Sequence, residues 1–110
     1  MKQGEIWYAD LNPVTGREQK GQRPVVIISG NLLNIYLDIV IICPLTTQIK
    51  NFKGNILLEP TKQNGLQKRS EILIFHIRSI SKYRLIKKVG EISGEQLAGI
   101  KEGLTDILRY

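Results

Sequence analysis

The sequence predicts a mostly β protein that ends in one helix. Two observations carry this. Short β-branched runs, "PVVIIS", "DIVIICPL" and "EILIFHIRSI", recur between loops marked by Gly, Pro and Asn. The apolar spacing turns helical only near the C-terminus. The chain has 110 residues and is 42% hydrophobic, enough for one modest core and too much for a disordered chain. The expected organisation is one domain over residues 1–110, with a small, strongly bent sheet or barrel of five to seven short strands closed by the helix.

The elements follow in order. "EIWYAD", residues 5–10, reads as a first strand. Residues 11–23 form a long polar loop punctuated by Pro13, Gly16 and Gly21. Residues 24–29 are a continuous apolar strand, expected to be buried on both faces. "GNLLNIY" is a turn with room for one helical turn, and residues 38–45 give another strand. After the polar loop "TTQIKNFKGN" come a short strand "ILLEP" and a basic loop with an Asn64-Gly65 turn signal. "EILIFHIRSI" reads as one strand and "RLIKKVGEI" as a last one. Leu97, Ile100, Leu104, Ile107 and Leu108 then fall on one helical face, and Ser93 with Gln96 forms a capping box.

Several classes are disfavoured. No apolar run reaches the roughly 18 residues of a membrane span, so no membrane role is expected. The N-terminus alternates and carries acids, unlike a signal peptide. The single cysteine, Cys43, allows no intrachain disulfide and sits in an apolar run, as a buried inert thiol does. The expected location is the cytoplasm. His76 and Cys43 show no metal-ligand spacing, and neither a nucleophile elbow nor a nucleotide-binding glycine loop is present. No metal or other cofactor is expected.

Charge points to an anionic partner. The formal net charge is +6, and residues 62–88 hold eight lysines and arginines against a single acid, Glu71. Nucleic acid is the commonest partner of such a stretch. The chemistry left open needs only a cation and hydroxyls. RNA cleavage is of this kind, because the RNA 2′-OH is itself the nucleophile; the protein must hold the phosphate and balance its growing charge. Arginine suits that task through its planar fork. Arg23 stands at the foot of the strand 24–29, and Pro24 restricts its backbone to extended conformations. Its head either meets a phosphate or pairs locally, with Glu18 as a partner.

The stretch "GEIWYADLNPVTGREQKGQRPVVIIS" strongly resembles the opening of MazF/PemK-type toxins, the Kid toxin among them. "CPLTTQI" resembles the family's second motif, and "GLQKRS", "IRSISKYRL" and "GEISGEQLAGIKEGLTDIL" match its later blocks in order, so the resemblance covers essentially the whole chain. It implies an SH3-like (PemK-type) barrel with a C-terminal helix, a homodimer, and the toxin role in a type II toxin–antitoxin system. The implied activity is sequence-specific, metal-independent cleavage of single-stranded RNA, leaving a 2′,3′-cyclic phosphate and a 5′-hydroxyl. The implied partner is an antitoxin with an acidic C-terminal tail. By position, Arg23 matches the catalytic arginine, Thr46 the catalytic threonine and Glu18 an auxiliary loop acid. Arg17, Gln19, Lys20, Gln48, Lys50, Phe52, Lys53, His76 and Arg78 are the expected RNA contacts, with Phe52 as a stacking platform.

The chain departs from the family pattern at three places. Phe75-His76 stands where many members have an acid and Gln, Ser81 where they have Asp, and Arg17 where the Kid branch has histidine. The mechanism of that branch is therefore not carried over, and the arginine–threonine pair is preferred. The alternatives weighed are a gyrase-binding toxin of the same fold, like CcdB, and a non-cleaving RNA-binding module.

Overall fold

The two most apolar runs of the sequence lie side by side at the middle of the sheet. The structure, a computed structural model, describes residues 1–12 and 21–109. In chain order its elements are β1 (Glu5–Asp10), β2 (Gln22–Ile27), α1 (Asn31–Tyr36), β3 (Ile39–Thr46), β4 (Ile56–Leu58), β5 (Ser70–Ile72), β6 (Arg78–Ser81), β7 (Leu85–Glu91) and α2 (Gly94–Arg109). The strands run in the order β4-β5-β3-β2-β1-β7, with β6 also paired to β3. These pairings are antiparallel, and the sheet curls into a half-barrel.

Both faces of β2 and β3 are covered, which is why their sequences do not alternate. Val25, Ile27, Val40 and Ile42 pack in one apolar cluster with Ala9, Leu11 and Ile80. Val26, Cys43 and Leu45 pack in the other with Ile6, Ile72, Ile74 and Ile100 of α2. Odd positions of β2 and even positions of β3 thus share one face, as the strand period of two requires. Cys43 is fully buried, and burial pushes its thiol up to about 12. It is the inert thiol its apolar setting suggests.

The run "EILIFHIRSI" is not one strand. β3 pairs with β6 through Ile42↔Arg78 and with β5 through Leu45↔Ile72. Cys43 and Pro44 therefore face the five residues 73–77, too many for a continuous ladder. The excess is taken up by a 3-10 turn, Ile74–His76. Pro44 has no N–H to continue the ladder, although its carbonyl accepts from Leu73 N at 2.9 Å. The one-strand reading of this segment fails here, although the exposure of Phe75 and Ile77 beside a buried Ile74 still alternates through the 3-10 turn.

α2 starts as its sequence predicts. Ser93 N donates to Gln96 Oε1 and Gln96 N to Ser93 Oγ, at 2.8 and 3.1 Å. Ile100, Leu97 and Leu104 pack on the first core. Ile107 and Leu108, expected on the same buried face, are 46% and 87% exposed. The core contacts of the helix end a turn earlier, with Gly103 close against Ile74. The Asn64-Gly65 signal is a real turn. Asn64 Oδ1 accepts from Thr61 N and Leu66 N, and Gly65 has φ +68 with no space for a Cβ against the Val89 carbonyl.

Candidate active site

Strand register brings the two expected catalytic residues together. β2 and β3 pair through Val25↔Pro44. Two residues further along each strand stand Arg23, still paired to Ala9 of β1, and Thr46, the last residue of β3. On its other side Thr46 lies opposite Glu71 of β5. Arg23, Thr46 and Glu71 thus form a row across three neighbouring strands, and directly opposed residues project from the same face.

A cleft of about 440 Å³ opens at this row. It is lined by Arg23 and Thr46, by Gln48, Lys50 and Phe52 of the β3–β4 loop, and by Phe75 and His76 of the 3-10 turn. Arg23 is half-buried, and the loss of water around its guanidinium lowers its pKa from the ordinary value. Thr46 is half-exposed, and its Oγ1 accepts from Gln48 N at 3.1 Å, which leaves the hydroxyl hydrogen available to a ligand. Phe52 meets Phe75 edge to face, with centroids 5.4 Å apart and planes at 84°. The His76 ring lies 5.0 Å from that of Phe75.

One carboxylate organises the loop beside the cleft. The Glu71 side chain has no exposed surface. Its Oε1 accepts from Lys50 N at 2.9 Å and Asn51 N at 3.3 Å; its Oε2 accepts from Phe52 N at 3.0 Å and Asn55 Nδ2 at 3.1 Å. Burial acts to raise the pKa of Glu71, but these hydrogen bonds outweigh it and hold the group below its ordinary value, so it stays ionised. Asn51 takes φ 56, the left-handed conformation that lets successive N–H groups converge on one anion. Glu71 was not among the expected site residues. The available signal was its isolation as the single acid of residues 62–88.

Of the expected residues, the cleft brings together Arg23, Thr46, Gln48, Lys50, Phe52 and His76. Lys53 is exposed in the same loop but does not line the cleft, and Arg78 lies on β6 opposite Ile42. Arg17, Glu18, Gln19 and Lys20, with the loop glycine Gly16, lie outside the described residues. A second groove of about 440 Å³ adjoins the cleft, sharing Pro24, Thr47 and Ser70 and presenting Lys68, Lys87 and Lys88. Part of the basic stretch therefore flanks the row.

Comparisons with known proteins bear on the family and the fold. Residues 2–108 match the family described as PemK-like, MazF-like toxin of type II toxin-antitoxin system. The chain is 35% identical over 105 residues to Endoribonuclease EndoA of Bacillus subtilis, covering 94% of this chain and 90% of that protein. It is 36% identical over 106 residues to Endoribonuclease MazF of Staphylococcus saprophyticus, covering 94% and 88%. Among solved structures, MazF from Deinococcus radiodurans has the same fold, with a TM-score of 0.87 at 24% identity, covering 100% of this chain and 97% of that one. A MazE-MazF structure from the same organism gives a TM-score of 0.79 at 24% identity, covering 98% and 95%. By sequence and fold together, this chain belongs to the PemK-like, MazF-like toxins of type II toxin–antitoxin systems.

Proposed function

We propose that this chain is one toxin domain that acts as a metal-independent endoribonuclease on single-stranded RNA. The observation that carries the reading is the Arg23–Thr46 pair, brought by register to one cleft. The relatives named endoribonucleases support it.

In the proposed step, the 2′-oxygen of the ribose attacks the adjacent phosphorus while its proton passes to a base. The P–O5′ bond breaks. The products are a 2′,3′-cyclic phosphate and a 5′-hydroxyl. Arg23 balances the charge that builds on the non-bridging oxygens and supplies a proton to the leaving 5′-oxygen; its lowered pKa favours that transfer. Thr46 donates its hydroxyl hydrogen to the scissile phosphate. Glu18 is assigned an auxiliary role. Gln48, Lys50, Phe52 and His76 contact the RNA from the cleft, and Arg17, Gln19, Lys20, Lys53 and Arg78 are assigned as further RNA contacts. The chain acts in the cytoplasm as a homodimer. An antitoxin with an acidic tail competes with RNA for the basic groove, a pairing supported by the solved MazE-MazF structures. The gyrase-binding and non-cleaving alternatives are not favoured.

The test is incubation of wild type and Arg23→Ala with a long mixed-sequence RNA in EDTA, with cut ends mapped by sequencing. Discrete cuts by wild type alone, ending in cyclic phosphate, support the reading. A folded wild type that cuts nothing overturns it.

A further inference from the structure

We infer that Glu71 is the positioning residue of an aromatic ledge, Phe52 on Phe75 beside His76, and that this ledge stacks one base of the RNA next to the cut phosphate. The inference rests on the ribonuclease reading above and deepens it.

The ledge is built from two segments distant in sequence. Phe52 belongs to the β3–β4 loop and Phe75 to the 3-10 turn after β5. Both are exposed, at 51% and 44%, and both line the cleft that holds Arg23 and Thr46. Two large apolar rings left open to water in a cleft with an arginine and a lysine fit a ligand that is anionic along its backbone and flat and apolar in its side groups. Single-stranded nucleic acid has that chemistry, because its bases are free to stack.

Glu71 ties both segments to the catalytic row. Its carboxylate collects the three successive N–H groups of Lys50, Asn51 and Phe52, which fixes the backbone that carries the Phe52 ring. It also accepts from Asn55, and Asn55 Oδ1 accepts in turn from Ile74 N at 3.2 Å, at the start of the 3-10 turn. A single buried anion therefore sets the separation of Phe52 and Phe75. Since Glu71 pairs in register with Thr46, the ledge is also held at a fixed distance from the phosphate site.

Three measurements test this. The first is RNA affinity in an Arg23→Ala background, which prevents cutting, using a short mixed-sequence RNA and a matched chain with abasic riboses. Phe52→Leu and Phe75→Leu should each weaken binding of the base-bearing RNA about tenfold and leave the abasic chain unaffected, and Glu71→Gln, which also frees the backbone of Lys50, should weaken the base-bearing RNA more than the abasic chain. The second is cleavage kinetics with Arg23 intact: Glu71→Gln should raise KM about tenfold with kcat nearly unchanged, and should relax the base preference at one position of the cut site. A role limited to stability lowers Tm and moves neither readout. The third needs no variant: in the wild type, the amides of Lys50, Asn51 and Phe52 should be strongly protected from hydrogen exchange. This reports on the anchor even if Glu71→Gln does not fold.

A folded Glu71→Gln protein with wild-type affinity, KM and base preference overturns the inference, as do unprotected amides at residues 50–52. A wild type that cuts nothing but still prefers base-bearing RNA through Phe52 and Phe75 overturns the ribonuclease reading and supports the ledge.

Discussion

Thr46 lies directly opposite Glu71 across the β3–β5 ladder, so a residue proposed to touch the scissile phosphate is the strand neighbour of the carboxylate that holds the adjacent loop. The arrangement separates two tasks. Arg23 and Thr46 meet the ligand, while Glu71 is spent wholly on backbone amides and Asn55. A buried carboxylate can remain charged only when its oxygens are satisfied in this way.

The proposed chemistry predicts a graded response at the pair. Arg23→Lys keeps the charge but loses the fork, and kcat should fall about 100-fold. Thr46→Val keeps the shape but removes the hydroxyl, with a loss of roughly tenfold to 100-fold. Single-turnover cleavage of a defined RNA measures both. A Thr46→Val enzyme with full kcat removes that hydroxyl from the mechanism.

RNA binding should depend steeply on salt. Release of counterions from about four phosphate contacts predicts a roughly 50-fold loss of affinity for a fourfold rise in salt. Lys68→Ala and Lys87→Ala, in the groove beside the cleft, should each flatten that slope. Titrations at several salt concentrations decide the matter, and an unaltered slope places the RNA elsewhere.

Acid should weaken the N-terminal strand through Glu5. This carboxylate is 8% exposed, and burial acts to raise its pKa. Hydrogen bonds from Lys2 N and Trp7 Nε1 and the ion pair with Lys88 at 3.0 Å prevail and bring it down to about 2. A folded pKa below the ordinary 4.5 means the contribution is complete above about 4.5 and is lost as pH falls toward 2. Glu5→Gln should cost about 1–3 kcal/mol at neutral pH and show less acid destabilisation over that window. Urea melts across pH test it, and equal acid sensitivity of the two proteins contradicts it.

Gly65→Ala should destabilise by about 2 kcal/mol or more. The position combines φ +68 with a Cβ that would fall 2.1 Å from the Val89 carbonyl oxygen. Gly54 has φ +93 but open space around it, so Gly54→Ala should cost only about 1 kcal/mol. Thermal melts of the two variants compare strain with and without a clash.

Ser93→Ala should cost about 1 kcal/mol by removing one half of the reciprocal cap at the start of α2. Ser93→Asp should restore most of it, since an aspartate accepts from the same amide. Chemical denaturation distinguishes the two.

Most of the fold was legible in the sequence because its signals are local. β-branched runs marked β2 and β3, Ser93 and Gln96 marked the start of α2, and Asn64-Gly65 marked a turn; each depends on residues a few positions apart. The motif at Arg23 and Thr46 was legible through family resemblance. The break at residues 74–76 was not. It arises from a mismatch in count between two strands paired to opposite halves of β3, and neither strand shows it alone.

By itself, the sequence determined which residues are apolar in β period and where the helix begins, because these depend on composition and short spacing; the side chains of the proposed chemistry were named through the family resemblance. Only the tertiary structure decided that Arg23, Thr46 and Glu71 stand in one row, that Phe52 meets Phe75, and that the lone acid of a basic stretch is an internal anchor. Those relationships are set by strand register and by the satisfaction of a buried charge. Both depend on contacts between residues about 20 or more positions apart in the chain.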